Sequence, residues 1–363
     1  MTVDPGRVDE LRARYGGSNL ASRRVEVAEL EDLHEALFDR GWTDGLPVVP
    51  PTEARVSRML EGTTRSPDEV VVLVPPNLVE CPVEKVAVNA VMAGCRPEYL
   101  PVVLAALETV CTDEFNMHGV LATTMSVGPI LVVNGPIARQ IGMNSGINVL
   151  GHGNRANSTI GRAVQLVLRN VGGGAPGGID RGTLGHMGKQ GFCFAEDEDG
   201  SPWTTLAEDR GFDRSQNTVT AFCGEGPNLV MDQLSRSPES LTRSLASSLR
   251  TAISERVVLG MDGMLVMSPE HMSRYRDAGW DRARFMAELT ECLMVDTDSI
   301  LGGVDGVEEG LPPEFAGHRV PKFRPGGLLV VHAGGPAGLF SAVIGGWKNG
   351  PGGSDPVTRE ITP

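Results

Sequence analysis

The sequence predicts an α/β protein, with a mixed or parallel sheet built from repeated strand–loop–helix units. Three observations carry that expectation. Short runs of consecutive apolar residues recur at 130–133, 218–222, 264–267 and 328–331. A strand apolar on successive positions is one buried on both faces, as in sheets covered by helices. Each run precedes a polar or glycine-rich loop, and apolar residues at helical spacing lie between several of them. Glycine is 46 of 363 residues, nearly twice the usual ~7%. Without a collagen period or low complexity, that excess signals many tight turns.

The elements come in order along the chain. The first 28 residues are rich in charge and poor in apolar pattern, and are expected to form an arm or short helix. Residues 29–38 read as a helix with Leu30, Leu33, Leu37 and Phe38 on one stripe, ended by Gly41. Residues 42–52 (WTDGLPVVPPT) are stiff and extended, because each proline fixes its own φ and restricts its predecessor. Thr52 suits the N-cap of a helix running to about Leu60. Residues 1–62 are therefore read as a helical arm with a proline-rich segment, and 63–363 as an α/β catalytic region with room for two lobes.

Residues 70–74 form a strand candidate. Pro82 fits the first turn of a helix with Val83, Val86, Ala87, Ala90 and Val91 on its apolar face, closed by Gly94. Pro97 opens the next, with Leu100, Val103, Leu104, Leu107 and Cys111 on one face. Asn157-Ser158-Thr159 opens a third, which stops at Gly172-Gly173-Gly174.

The chain carries 32 basic and 46 acidic residues, a formal net charge of −14. That argues against nucleic acid or an anionic membrane as partner. No apolar run approaches the roughly 18 residues of a membrane helix, and no hydrophobic stretch comes after the first charges as in a signal peptide. The six cysteines are spaced 14, 16, 82, 30 and 69 apart and form no compact disulfide framework. A cytoplasmic chain with free thiols is the simplest reading. The segment before Asp44 has too little apolar pattern for a core of its own. It is expected to pack on a neighbour, which makes a homo-oligomer.

Cysteine at a helix start is the clearest chemical signal. Cys81 precedes Pro82, and Cys95 precedes Arg96-Pro97. The free N–H groups of a helix start favour a thiolate, and Lys85 and Arg96 add positive charge. An ordinary packed cysteine is the competing reading. Only four basic residues are lysine, Lys85, Lys189, Lys322 and Lys348, either through codon bias or because a guanidinium will not serve there. Six of thirteen asparagines fall at 134–170 (Asn134, Asn144, Asn148, Asn154, Asn157, Asn170). They suit a polar pocket, or turns.

Residues 151–158 (GHGNRANS) place amide, imidazole and guanidinium groups before a helix. Asn154, Arg155, Asn157 and Ser158 are thus candidates to bind an anion or a developing oxyanion. In residues 182–189 (GTLGHMGK), His186 and Lys189 are proton-transfer candidates. The acidic run at 196–199 lacks a complete calcium loop and reads as a solvated turn. The glycine-rich residues 332–338 match neither the dinucleotide fingerprint nor a Walker loop. No Cys-x-x-Cys, His-Glu-x-x-His or Gly-x-Ser-x-Gly occurs, so no metal or other cofactor is expected, although ligands scattered in sequence could still hold a metal.

Several phrases, spread over most of the chain, resemble the long bacterial proteins grouped with UGSC-type (seleno)proteins. They are DGLPVVPPT at 44–52, VEKVAVNAVMAGCRPEY at 83–99, GNRANSTIGR at 153–162 and GHMGK, FCFAEDE and SPW within 185–203. Residues 333–347 and PVTREI at 356–361 also match. The UGSC tetrapeptide itself is absent, so its selenium or thiol-pair chemistry does not carry over. The resemblance implies a site containing Glu84, Lys85, Asn89 and Cys95, and tips the choice of reactive thiol from Cys81 to Cys95.

Together these readings predict an enzyme acting on a small polar or anionic substrate. A Cys95 thiolate would add to an electrophilic amide, nitrile or thioester-like carbon, leading to hydrolysis, hydration or elimination. Glu84, Lys85, His186 or Lys189 would move protons, and Asn89 and the 154–158 segment would hold substrate. The alternatives are thiol redox chemistry between Cys81 and Cys95, and a small-molecule binding protein without turnover. The glycine-rich loops are expected to bring Asn154 and His186 into one cleft at the carboxyl ends of the strands.

Overall fold

The computed structural model describes residues 20–28, 32–306 and 308–363. Residues 1–19 of the expected arm, and residues 29–31 of the first expected helix, lie outside them. Helix α1 is Leu33–Asp39, with the Asp32 side chain accepting the His34 and Glu35 N–H groups. The proline-rich segment is extended, and Thr52 precedes α2, Glu53–Leu60. Asp44 and Arg162 fasten that segment to the rest: Nε and Nη2 of Arg162 reach both carboxylate oxygens at 2.8 and 2.7 Å. Arg162 Nη2 also donates to the Pro47 carbonyl. Burial alone would raise the Asp44 pKa, but the Arg162 hydrogen bonds and charge win and hold it below the usual carboxylate range. Leu20, Trp42, Val48, Val56 and Met59 join a core shared with the body of the chain. The segment expected to need a neighbour therefore packs, in its described part, on its own chain.

A small antiparallel ribbon comes next, β1 (Val70–Val74) with β2 (Val79–Pro82). Helix α3, Val83–Ala93, comes directly off β2, with nine of its eleven residues buried. A helix apolar all round belongs inside. Gly94 ends it at φ +92°, a left-handed conformation that suits glycine. A short 3₁₀ turn, Pro97–Tyr99, leads into α4, Leu100–Val110, which is also buried nearly all round. Helix α5 is Met117–Ala122.

The main sheet then begins with β3, Gly128–Asn134, every residue of it buried. The chain continues through α6 (Pro136–Gln140), α7 (Arg155–Asn170), β4 (Phe192–Ala195) and the one-turn α8 (Leu206–Asp209). Next come β5 (Thr218–Gly224), β6 (Asn228–Met231), α9 (Pro238–Thr251), β7 (Met261–Met267), α10 (Pro269–Asp277) and α11 (Arg282–Cys292). The small β8 (Met294–Asp296) and β9 (Arg319–Pro321) pair only with each other. The chain closes with β10 (Leu328–His332), β11 (Phe340–Lys348) and β12 (Val357–Glu360).

The eight-stranded sheet has the order β10-β7-β11-β5-β3-β4, with β12 beside β5 and β6 beside β11. It is mixed: β10 with β7 and β3 with β4 are parallel, and the other pairs antiparallel. The fold is α/β, as expected. The strand–loop–helix rhythm is irregular, since a single helical turn separates β4 from β5 and no helix separates β10, β11 and β12.

The continuous apolar runs are explained by burial on both faces. Ile130, Val132, Phe192, Phe194, Phe222, Met264, Val266, Leu329, Val331 and Ile344 form one cluster drawn from six strands. Their alternates point outwards. Leu131, Val133, Cys193, Val219 and Ala221 meet α3, α4 and α7, while Leu265, Met267, Val330 and Val343 meet α9, α10 and α11. Residues of the edge strands β4 and β10 share the inner cluster, so the sheet curls round it. The Asp197 N–H donates to the His332 carbonyl at 2.7 Å, joining those edges just past their ends. Gly161 lets α7 lie against the start of β4, because a Cβ there would fall 2.9 Å from backbone atoms of Gly191 and Phe192. Among the described residues, no helix is long and apolar enough to cross a membrane.

Phe194 is fully buried within the inner cluster. Phe194→Ala is expected to destabilise the fold by about 3–5 kcal/mol through lost burial and a residual cavity. Urea unfolding monitored by circular dichroism measures it, and a loss within about 0.5 kcal/mol, ordinary for a surface site, would show that the sheet does not enclose this ring.

Candidate functional site

The structure separates the expected site residues into three places. Cys95 lies just past α3, and its thiol donates to the Thr159 carbonyl at 3.3 Å. A donating thiol is a protonated one. Burial pushes the Cys95 pKa up to about 12, against the charges of Arg155 and Arg162. Arg96 is exposed and adds nothing there. Burial likewise pushes Cys81 and Cys111 up to about 12 and raises Cys193 and Cys223. The expected thiolate at Cys95, and its rival at Cys81, are thus corrected by desolvation. Nor can these two form a disulfide as placed. The eleven-residue α3 lies between them, spanning about 16 Å at ~1.5 Å per residue, where a disulfide tolerates Cα atoms at most about 7 Å apart.

The second place is the start of α7, and here the expected ligand groups are spent internally. Asn154 is the N-cap, its Oδ1 accepting the Asn157 N–H. Asn157 exchanges two hydrogen bonds with the Asn144 backbone. Arg155 Nε donates to the Gly94 carbonyl at the end of α3. Ser158 is exposed. The asparagines therefore shape turns and caps rather than one polar pocket. The Asn144 carbonyl also takes the Ala195 N–H, which puts this segment at the carboxyl end of β4.

His186 and Lys189 occupy the third place, at the opposite end of the same strands. They precede β4, and the Lys189 side chain lies against Gly128 at the start of β3. Asn154 and His186 therefore do not share a cleft. Lys189 pairs with Asp180 at 2.6 Å. Burial, then the Lys189 charge, lowers the pKa of His186, whose ring nitrogens make no well-formed hydrogen bond among the described residues.

Glu84, Lys85 and Asn89, the other expected residues, do meet in one groove of about 740 Å³. It lies between residues 20–28, α1, the proline-rich segment and α3. Leu37, Trp42, Val56, Val88 and Met92 line its apolar part. At its polar end the Glu84 carboxylate, 4% exposed, accepts the N–H groups of Ala21 and Ser22, each at 2.8 Å. Lys85 Nζ donates to Ser22 Oγ at 3.0 Å. Asn89 Oδ1 accepts from Asn170 Nδ2 at 2.8 Å. A second cavity of about 600 Å³, beside β1 and the start of α5, contains none of the expected residues.

A further polar centre is hidden in the sequence. The acidic run at 196–199 is no solvated turn, since Glu196 and Glu198 are buried. Glu196 accepts hydrogen bonds from Asn134 Nδ2 (2.7 Å), the Leu206 N–H (2.8 Å) and the His332 N–H (3.3 Å). Asn134 Nδ2 also donates to Glu198 at 2.9 Å. Burial pushes the Glu196 pKa up to about 7, against those hydrogen bonds and the Arg282 charge. His332 Nδ1 faces the Asp197 carbonyl at 2.9 Å. A carbonyl only accepts, so Nδ1 carries a proton, and Nε2 is buried without a hydrogen-bond partner among the described residues. The one sequence signal for this centre is the apolar strand Phe192-Cys193-Phe194-Ala195, which carries the next residues, from Glu196 on, to the neighbouring strand ends. Among the described residues, no three His, Cys, Asp or Glu side chains gather as metal ligands.

Comparisons with family models, with curated proteins and with solved structures found no match for this chain.

The titrating groups give two expected outcomes. Iodoacetamide should leave Cys81, Cys95, Cys193 and Cys223 unmodified near neutral pH until denaturant is added. Intact mass with peptide mapping checks this, and fast native labelling of Cys95 would restore the thiolate. Glu196 has its folded pKa raised, so the folded state holds its proton more tightly. Its contribution is therefore present below the ordinary value of 4.5 and lost as pH rises to about 7. Glu196→Gln should flatten that part of the stability–pH curve, read as thermal midpoints across this window. An unchanged slope would exclude Glu196 as its source.

Proposed function

We propose that the protein binds a small amphipathic carboxylate in the groove beneath residues 20–28. The observation that carries this reading is the cavity itself. Its volume lies within the roughly 300–1,000 Å³ of small-molecule sites, and it combines apolar walls with a few converging polar groups. The preference for a carboxylate rests on Lys85. The groove lining is mixed in charge, with Glu53, Glu80 and Glu84 beside Arg23, Arg24, Arg40 and Lys85, and Arg24 is paired with Glu53, whereas Lys85 meets a hydroxyl rather than a carboxylate. Catalysis by a Cys95 thiolate, or redox exchange between Cys81 and Cys95, draws no support from this geometry. Binding without thiol chemistry is the reading we favour.

Trp42 lines the groove and gives a direct signal. Aliphatic and aromatic carboxylates should change its fluorescence saturably, while the corresponding primary alcohols should bind at least about tenfold more weakly, because a hydrogen bond to a charged group contributes about 1.5–3 kcal/mol. Lys85→Met should erase that difference, and Trp42→Phe should remove the signal. Equal binding of carboxylates and alcohols, or no binding of either, would overturn the reading.

A further inference from the structure

Resting on that groove reading, we propose that its ligand is an apolar α-amino acid in zwitterionic form, and that Ser22 of the arm occupies the ligand's polar place until the ligand displaces it. Two unneutralised charges point to such a ligand. Glu84 is buried, and its carboxylate is satisfied by two neutral backbone N–H groups. Lys85, next to it in sequence, is satisfied by a neutral hydroxyl. Neither forms an ion pair among the described residues. An anion and a cation side by side, each held only by neutral groups, complement a ligand that carries both charges.

The spacing agrees. Ser22 meets Glu84 Oε1 through its own N–H and meets Lys85 through its own Oγ. In serine those two atoms are three bonds apart, N–Cα–Cβ–Oγ. In an α-amino acid the ammonium nitrogen and a carboxylate oxygen are also three bonds apart, N–Cα–C–O. Ser22 thus presents a donor and an acceptor at the separation of an amino-acid headgroup. A zwitterion would replace both ion–dipole contacts with ion–ion contacts in a partly buried site, where they are stronger than in water. The freed arm would regain chain entropy. The ligand's side chain would lie along Leu37, Trp42, Val56, Val88 and Met92, which explains the preference for an apolar one.

Calorimetry on the full chain with L-leucine, N-acetyl-L-leucine, L-leucinamide and hexanoate tests the assignment, together with tryptic cleavage after Arg23 and Arg24 mapped by mass spectrometry. L-leucine is expected to bind at least about tenfold more tightly than the two blocked forms and to speed cleavage of the arm. Ser22→Ala weakens the competitor without touching the core, and is expected to tighten leucine binding. N-acetyl-L-leucine or L-leucinamide binding as well as leucine would overturn the zwitterion assignment. Slower cleavage in leucine would show the ligand lying under the arm rather than in its place. Failure of leucine, valine and phenylalanine to bind would also overturn the inference. In each of these cases, hexanoate binding that responds to Lys85→Met leaves the groove reading intact, whereas its absence removes both.

Discussion

The carboxylate of Glu196 sits where the two edges of the curled sheet meet. It accepts from Asn134 at the end of β3, from the Leu206 N–H that starts α8, and from the His332 N–H at the end of β10. Burying a carboxyl group is costly unless its oxygens are hydrogen-bonded. Here three donors from three separate stretches of chain supply those bonds. Removing any one stretch leaves this buried carboxyl group a donor short, so the three stretches are tied together at the seam. The opposed outer clusters, one against α3, α4 and α7 and the other against α9, α10 and α11, depend on that closure for the shared inner core.

The front of the molecule is held differently. Asp44 and Arg162 form a two-pronged ion pair in which both side chains are mostly buried, the geometry in which such pairs are strongest and most specific. It anchors an extended segment that meets the end of α3, where the Val49 N–H donates to the Met92 carbonyl at 3.1 Å. The space left between that segment, α1, the arm and α3 is the groove. Pro50, Pro51 and Thr52 of that segment form one of its walls.

Thiol chemistry shows how competing magnitudes decide. A helix terminus favours a nearby anion by roughly 0.3–1 kcal/mol. The rise of Cys95 from its ordinary 9.0 to about 12 corresponds to about 4 kcal/mol against the thiolate. Position before a helix is visible in the sequence, whereas the depth of burial that outweighs it is not. Asn154 and Asn157 behave in the same way. Their residue types suit a binding site, and their hydrogen bonds are consumed by a cap and a turn.

The sequence by itself determined the α/β class and most elements. Apolar periodicity and proline or glycine boundaries are local, and local rules govern them: β1 is found where expected, β3 and β7 extend the expected runs by a few residues, and Gly94 closes α3. Phe340–Lys348 is not legible as a strand, because its paired glycines weaken the pattern and its place is set by Met261–Met267 alongside. Glu84, Lys85 and Asn89 stand together in the sequence because neighbouring turns of one helix carry them, and they do share a groove. Only the tertiary structure decided that Glu196 is buried, that Asn154 and His186 lie at opposite ends of β3 and β4, and that Cys95 is a packed thiol. Each of those depends on desolvation and partners supplied by chain dozens to more than a hundred residues away, and a one-dimensional pattern carries no information about such distances.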